Sequence, residues 1–154
     1  MRYWLMKSEP DVFSIEDLRR SPGRSSLWDG VRNYQVRNML RDDFAKGDLA
    51  FFYQSSCAVP GIVGTMEVLC AGYPDPTAFM AGHEHFDPAS DRDKPRWYTV
   101  DVRYRSAFPV IPLDELRQHP ALAEMLVLRK GNRLSITPLA AAEWNYILGL
   151  RRES

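Results

Sequence analysis

Apolar residues along the chain fall into short blocks between turn residues, and the blocks differ in period. Leu49-Ala50-Phe51-Phe52-Tyr53 is unbroken and apolar enough for a central strand. Residues 97–105 alternate instead. Tyr98, Val100, Val102 and Tyr104 share one face, while Thr99, Asp101, Arg103 and Arg105 share the other, which predicts a half-buried strand. Shorter strands are expected over 2–6, 60–68 and 134–136. Val36, Met39, Leu40 and Phe44 recur at helical spacing over 34–44. Ser14 followed by Glu16 and Asp17 is a helix start, and Ser21-Pro22-Gly23 ends that helix. Short helices are predicted near 76–80 and 112–119. Thr137-Pro138 pairs a cap with a proline at the first helical position, predicting a final helix that runs to about residue 150. Residues 72–96 form a polar excursion with four prolines, the one segment expected to be mobile. Strands cluster in the middle without alternating with long helices, so the fold class is α+β with a mixed or antiparallel curved sheet.

Composition narrows the picture. The chain has 154 residues, 45% of them hydrophobic, which suits one globular domain over 1–154 with a sizeable core. No apolar run is long enough to span a membrane. Two cysteines do not make a disulfide framework, and the first residues lack an apolar signal segment, so a cytoplasmic protein is expected. The formal net charge is zero, which argues against indiscriminate coating of duplexes. The charge is uneven, however. Arg32, Arg37 and Arg41 lie in one stretch and Arg129, Lys130 and Arg133 in another, against an acidic run from Glu84 to Asp93. Two local basic patches suit capture of one nucleotide better than a long track.

Residues 28–38 (Trp-Asp-Gly-Val-Arg-Asn-Tyr-Gln-Val-Arg-Asn) concentrate the candidate chemistry. An indole stacks on a base, amides read its edge, and guanidinium groups hold phosphates. Each residue also has a plainer role available: Trp28 as core, Asn33 as a helix cap. Lys7-Ser8-Glu9 and Gln54-Ser55-Ser56 place polar side chains where two strands end, so Ser8 and Ser55 could converge on a pocket mouth. Arg129 to Arg133 reads as a phosphate clamp or as a solvated turn. His83-Glu84-His85 lacks a third and fourth metal ligand nearby in sequence, and Cys57 has no neighbouring histidine. No catalytic residue, metal or cofactor is expected.

Tyr3 to Pro10, Trp28 to Asn38, Phe51 to Ser55, Pro60 to Gly64 and Arg133 to Pro138 together resemble, in this order, the EVE domain family. The resemblance covers residues 2–150. It implies a PUA-like fold, a curved barrel-like mixed β-sheet flanked by helices, related to YTH and ASCH domains. It also implies a non-enzymatic pocket that reads a modified nucleobase, with modified cytosine in DNA the leading partner and modified RNA the other. Carried over residue by residue, Trp28 becomes the stacking surface. Lys7, Ser8, Asn33, Tyr53 and Ser55 become nucleobase contacts, and Arg32, Arg37 and Arg133 phosphate contacts. Family members often carry His where this chain has Gln54, and Ala where it has Val36. The alternative function is a hydrolase acting on RNA or a nucleotide, with Glu9 or Asp29 as base. A third is a protein-interaction module.

Overall fold

The central strands send successive side chains to two separate cores. Trp4, Met6, Ala50, Phe52, Val63 and Met66 enter one cluster; Leu5, Phe51, Tyr53 and Ile62 enter the other. A strand buried on both faces reads as a continuous apolar block, and this accounts for the run at 49–53. The computed structural model describes residues 1–151. In chain order the elements are β1 (Tyr3–Ser8), α1 (Ile15–Arg20), β2 (Ser25–Leu27), α2 (Tyr34–Asp42), β3 (Leu49–Gln54), β4 (Gly61–Val68), β5 (Tyr73–Pro74), β6 (Tyr98–Thr99), β7 (Asp101–Pro112), α3 (Leu113–Leu116), β8 (Ile136–Leu139) and α4 (Ala141–Leu150). Six strands form one sheet in the order β2-β7-β4-β3-β1-β8, and β5 pairs with β6 separately. β1 and β3 are parallel, and the other neighbours in the large sheet are antiparallel. The fold is therefore α+β with a mixed sheet, as expected, and the sheet curls without closing into a barrel.

The curl has a local cause. Register shifts fall between Phe52 and Tyr53, between Ile62 and Gly64, and between Thr65 and Met66. Each irregularity bends and twists its strand. At Gly64 a Cβ would sit 2.3 Å from the Ser106 carbonyl oxygen, so only glycine lets β4 and β7 approach this closely.

Leu18, Val36 and Leu40, from α1 and α2, cover the first face of the sheet; Leu116, Trp144 and Ile147, from α3 and α4, cover the second. Capping follows the sequence. Ser14 and Asp17 form a reciprocal capping box on α1, and Asn33 Oδ1 accepts the Val36 N–H at 3.1 Å on α2. Two expectations need correction. Thr137 and Pro138 do not start the last helix; they lie in β8, paired with Leu5 and Trp4. Proline is tolerated there because β8 is an edge strand. α4 begins at Ala141, where Glu143 takes the free Ala140 N–H at 2.8 Å. The alternating strand at 97–105 is two elements, β6 and β7, and β7 continues to Pro112.

Candidate nucleic-acid interface

Where β1 ends, its last residues meet β2, the turn before α1 and the 72–97 loop around a recess of about 530 Å³. Sites for small ligands occupy about 300–1,000 Å³, so one nucleotide fits. Lys7, Ser8 and Glu9 line one wall, Val12 and Phe13 the next, Ser26 to Gly30 the third, and Glu84 with His85 the last. The lining carries one ammonium (Lys7) against three carboxylates (Glu9, Asp29, Glu84). An acidic recess repels phosphate and suits the amino-bearing edge of a base.

Trp28 sits at the end of β2, its backbone fixed on both sides. Its N–H donates to Val100 O at 2.9 Å and its carbonyl accepts from Thr99 Oγ1 at 2.6 Å. The ring packs edge-on against Phe52, with centroids 5.5 Å apart at 81°, and is 8% exposed. Trp28 therefore fills both roles open in the sequence: it belongs to the first core and also walls the recess. Among the described residues its indole N–H has no hydrogen-bond partner, whereas those of Trp4 and Trp97 bind Asp48 and Asp87.

The residues proposed from the sequence are not all brought together. Ser8 lines the recess, but its hydroxyl donates to Phe13 O at 2.6 Å, so toward a ligand it can only accept. Ser55 is joined to it through the backbone, Ser55 N–H to Ser8 O at 3.0 Å. Lys7 borders the recess with its Nζ 6.0 Å from the centroid of Tyr53, which belongs to the second core. Adjacent strand residues point to opposite faces, so Lys7 and Tyr53 lie across the sheet from Trp28. Burial pulls the Lys7 ammonium below its ordinary value. Asn33 is exposed and caps α2 outside the lining. Arg133 is exposed, two residues before Ser135, whose carbonyl accepts the Lys7 N–H at 2.8 Å.

Arg32 and Arg37 hold the protein to itself. Arg32 Nη1 donates to Val31 O at 2.9 Å and to Asp75 Oδ2 at 3.2 Å, its Nη2 donates to His85 O, and the guanidinium lies over the Trp97 ring. Arg37 donates to Asn38 Oδ1 and Arg96 O, each at 2.8 Å. Both therefore fasten the 72–97 loop. Asp75 is its anchor. Fully buried, it accepts from Gly30 N, Arg32 Nη1, Thr77 N and Thr77 Oγ1. Burial alone pushes this carboxyl up, but the hydrogen bonds outweigh it and hold the group below the usual carboxylate range.

Sequence reading set His85 aside as part of an incomplete metal set and did not place it beside Asp29. Its Nδ1 lies 2.9 Å from Asp29 Oδ2, and its ring rests on Gly30, where a Cβ would come within 2.6 Å. Gly30 has φ +80°, which glycine adopts without strain. That glycine, next to Asp29, was the available signal.

The EVE domain model matches residues 2–150. Thymocyte nuclear protein 1 of Homo sapiens is 43% identical over 168 residues, covering 98% of this chain and 74% of that protein. A crystal structure of a Pseudomonas syringae protein has 46% identity and a TM-score of 0.91, covering 97% of this chain and 99% of its own. The human THYN1 protein, solved in complex with DNA containing 5-methylcytosine, has 42% identity and a TM-score of 0.93, with coverage of 100% and 99%.

Proposed function

This chain belongs to the EVE domain family, and from that premise we propose that it is a non-enzymatic reader of modified cytosine in DNA, taking one unpaired base into the recess beside Trp28. The observation that carries the reading is the human relative bound to 5-methylcytosine DNA on the same fold. The recess supports it. Cytosine presents an exocyclic amino group, and Glu9, Asp29 and the lone pairs of Ser8 Oγ are acceptors. Trp28, Leu27, Phe13 and Val12 supply apolar surface for the ring and its methyl group. The comparisons lend no support to the hydrolytic alternative.

Phosphates stay outside the acidic recess. Lys7 and the exposed Arg133 are our candidates for holding them, since the 133–135 segment runs beside Lys7. Arg32 and Arg37 act indirectly in this reading, by keeping the 72–97 loop in place. Asn33, Tyr53 and Ser55 act as supports: Asn33 starts α2, Tyr53 underlies Lys7, and Ser55 steadies the backbone of Ser8. Among the described residues no helix is long and apolar enough to cross a membrane. A reducing cytoplasmic compartment belongs to the same proposal, and Cys57 and Cys70 are free thiols.

The test is an anisotropy titration with single-stranded oligonucleotides that differ in one base: cytosine, 5-methylcytosine or thymine. Burying one methyl is worth about 0.8 kcal/mol, so 5-methylcytosine gains about fourfold over cytosine. Thymine replaces the amino group with a carbonyl facing carboxylates and loses at least about tenfold. Equal affinity for all three defeats the reading. A second titration concerns pH. Lys7 attracts phosphate only while charged, and its ordinary value of 10.5 is lowered by burial. Affinity therefore falls as pH rises, and the fall comes below 10.5. Lys7→Met removes this alkaline loss; if the variant keeps the wild-type profile, another group carries it.

A further inference from the structure

One cluster at the lip of the recess shares only Asp29 with the proposed base contacts, and its two histidines have no part in them. Asp29, at the end of the β2 segment, and His83 and His85, from the 72–97 loop, each offer a ligand atom, and the three atoms lie within 4.8 Å of one another. We propose that Asp29, His83 and His85 bind one divalent first-row transition ion, with zinc the best-suited probe, at the lip of the recess.

The donor set selects the class of ion. Two imidazoles and a carboxylate suit zinc, nickel, copper or ferrous iron, whereas magnesium and calcium prefer oxygen alone. The spacing is close to what capture needs. Around a tetrahedral zinc with bonds of about 2.0–2.1 Å, ligand atoms lie about 3.3 Å apart. Asp29 Oδ2 is 2.9 Å from His85 Nδ1 and 3.9 Å from His83 Nε2, values on either side of that spacing. One carboxylate oxygen thus faces two ring nitrogens, and the three atoms frame a position one metal ion can fill.

Proton bookkeeping sets the strength. His83 Nδ1 accepts the His85 N–H at 3.0 Å, so in the free protein its ring proton is on Nε2. His85 carries its proton on Nδ1, facing Asp29. On capture each ring offers the metal its nitrogen near Asp29 and keeps a proton on the other. For His83 this exchanges the His85 N–H bond for a metal–nitrogen bond, a cost that weakens the site. Two contacts already align the ligands. Arg32 Nη2 donates to His85 O, and the Gly30 N–H, next to Asp29, donates to the buried Asp75 at 3.1 Å. Asp29 and His85 also line the recess, so an ion held by them borders it, and three protein ligands leave a coordination position for a further group.

The site is testable without nucleic acid, so its failure leaves the base-reading proposal intact. Zinc chloride is titrated calorimetrically into the tag-free full-length chain. The expected result is one equivalent bound with micromolar Kd. His83→Gln and Asp29→Asn each weaken it at least tenfold while circular dichroism shows an unchanged fold. Cobalt substitution gives visible bands that both variants lose. A Cys57→Ser, Cys70→Ser double variant binds as wild type. Three results overturn the proposal: no binding tighter than millimolar, full binding in the His83 and Asp29 variants, or loss of binding in the cysteine variant.

Discussion

Trp28→Ala abolishes detectable binding of a 5-methylcytosine oligonucleotide and lowers the free energy of unfolding by about 3–5 kcal/mol, the range for deleting a buried tryptophan side chain. Both effects follow from one placement. The indole packs into the first core against Phe52 and also forms a wall of the recess. Truncation leaves a cavity beneath the pocket and removes its aromatic surface at once. A variant that merely unfolds would not separate these roles, whereas Trp28→Phe does. It keeps a ring against Phe52 and costs about 1–2 kcal/mol of stability, and the smaller π-surface weakens binding by up to about tenfold. Urea unfolding and anisotropy on both variants give the answer. If Trp28→Phe binds as tightly as wild type, the indole is core alone and the base is held elsewhere.

Asp75→Ala has the second large effect, an expected loss of about 3–5 kcal/mol. Removing the carboxylate strips the bonds from Gly30, Arg32 and Thr77 and leaves the Arg32 guanidinium, 25% exposed, without its acidic partner. The 72–97 loop then loses its anchor, and binding falls with it, although Asp75 does not line the recess. The pH dependence carries the same signature. A carboxyl held below its unfolded value contributes stability that is fully present above that value, about 3.9, and is lost as pH falls through the folded one. The stability gap between wild type and Asp75→Ala therefore holds steady above about pH 3.9 and narrows as pH falls below it. If the acid limbs of the two unfolding curves run parallel, Asp75 is not the group that titrates.

The family, the fold class and most central elements were legible in the sequence because they rest on local signals. The apolar block at 49–53, the Ser14 capping box and the Asn33 cap need only neighbours along the chain. β2 escaped because Ser25-Ser26-Leu27 has no period and is a strand only by pairing with β7. Thr137-Pro138 misled because the cap-and-proline signal is the same whether an edge strand or a helix follows. The recess shows the same division. Ser8 and Trp28 could be picked out by residue type. The separation of Lys7 from Ser8 needed only the period of two, applied at the strand end. The meeting of Asp29 with His85, 56 residues away, exists only in three dimensions.

Three carboxylates around one ammonium also settle what is kept out. A free nucleoside triphosphate brings a cluster of phosphate charges with every base it presents. A strand carries a single charge at each phosphate, and in the proposed reading its backbone passes the mouth while one heterocycle swings inward. In that reading the acid-lined wall is a sieve that disfavours the small-molecule nucleotide pool and leaves the cavity to a strand.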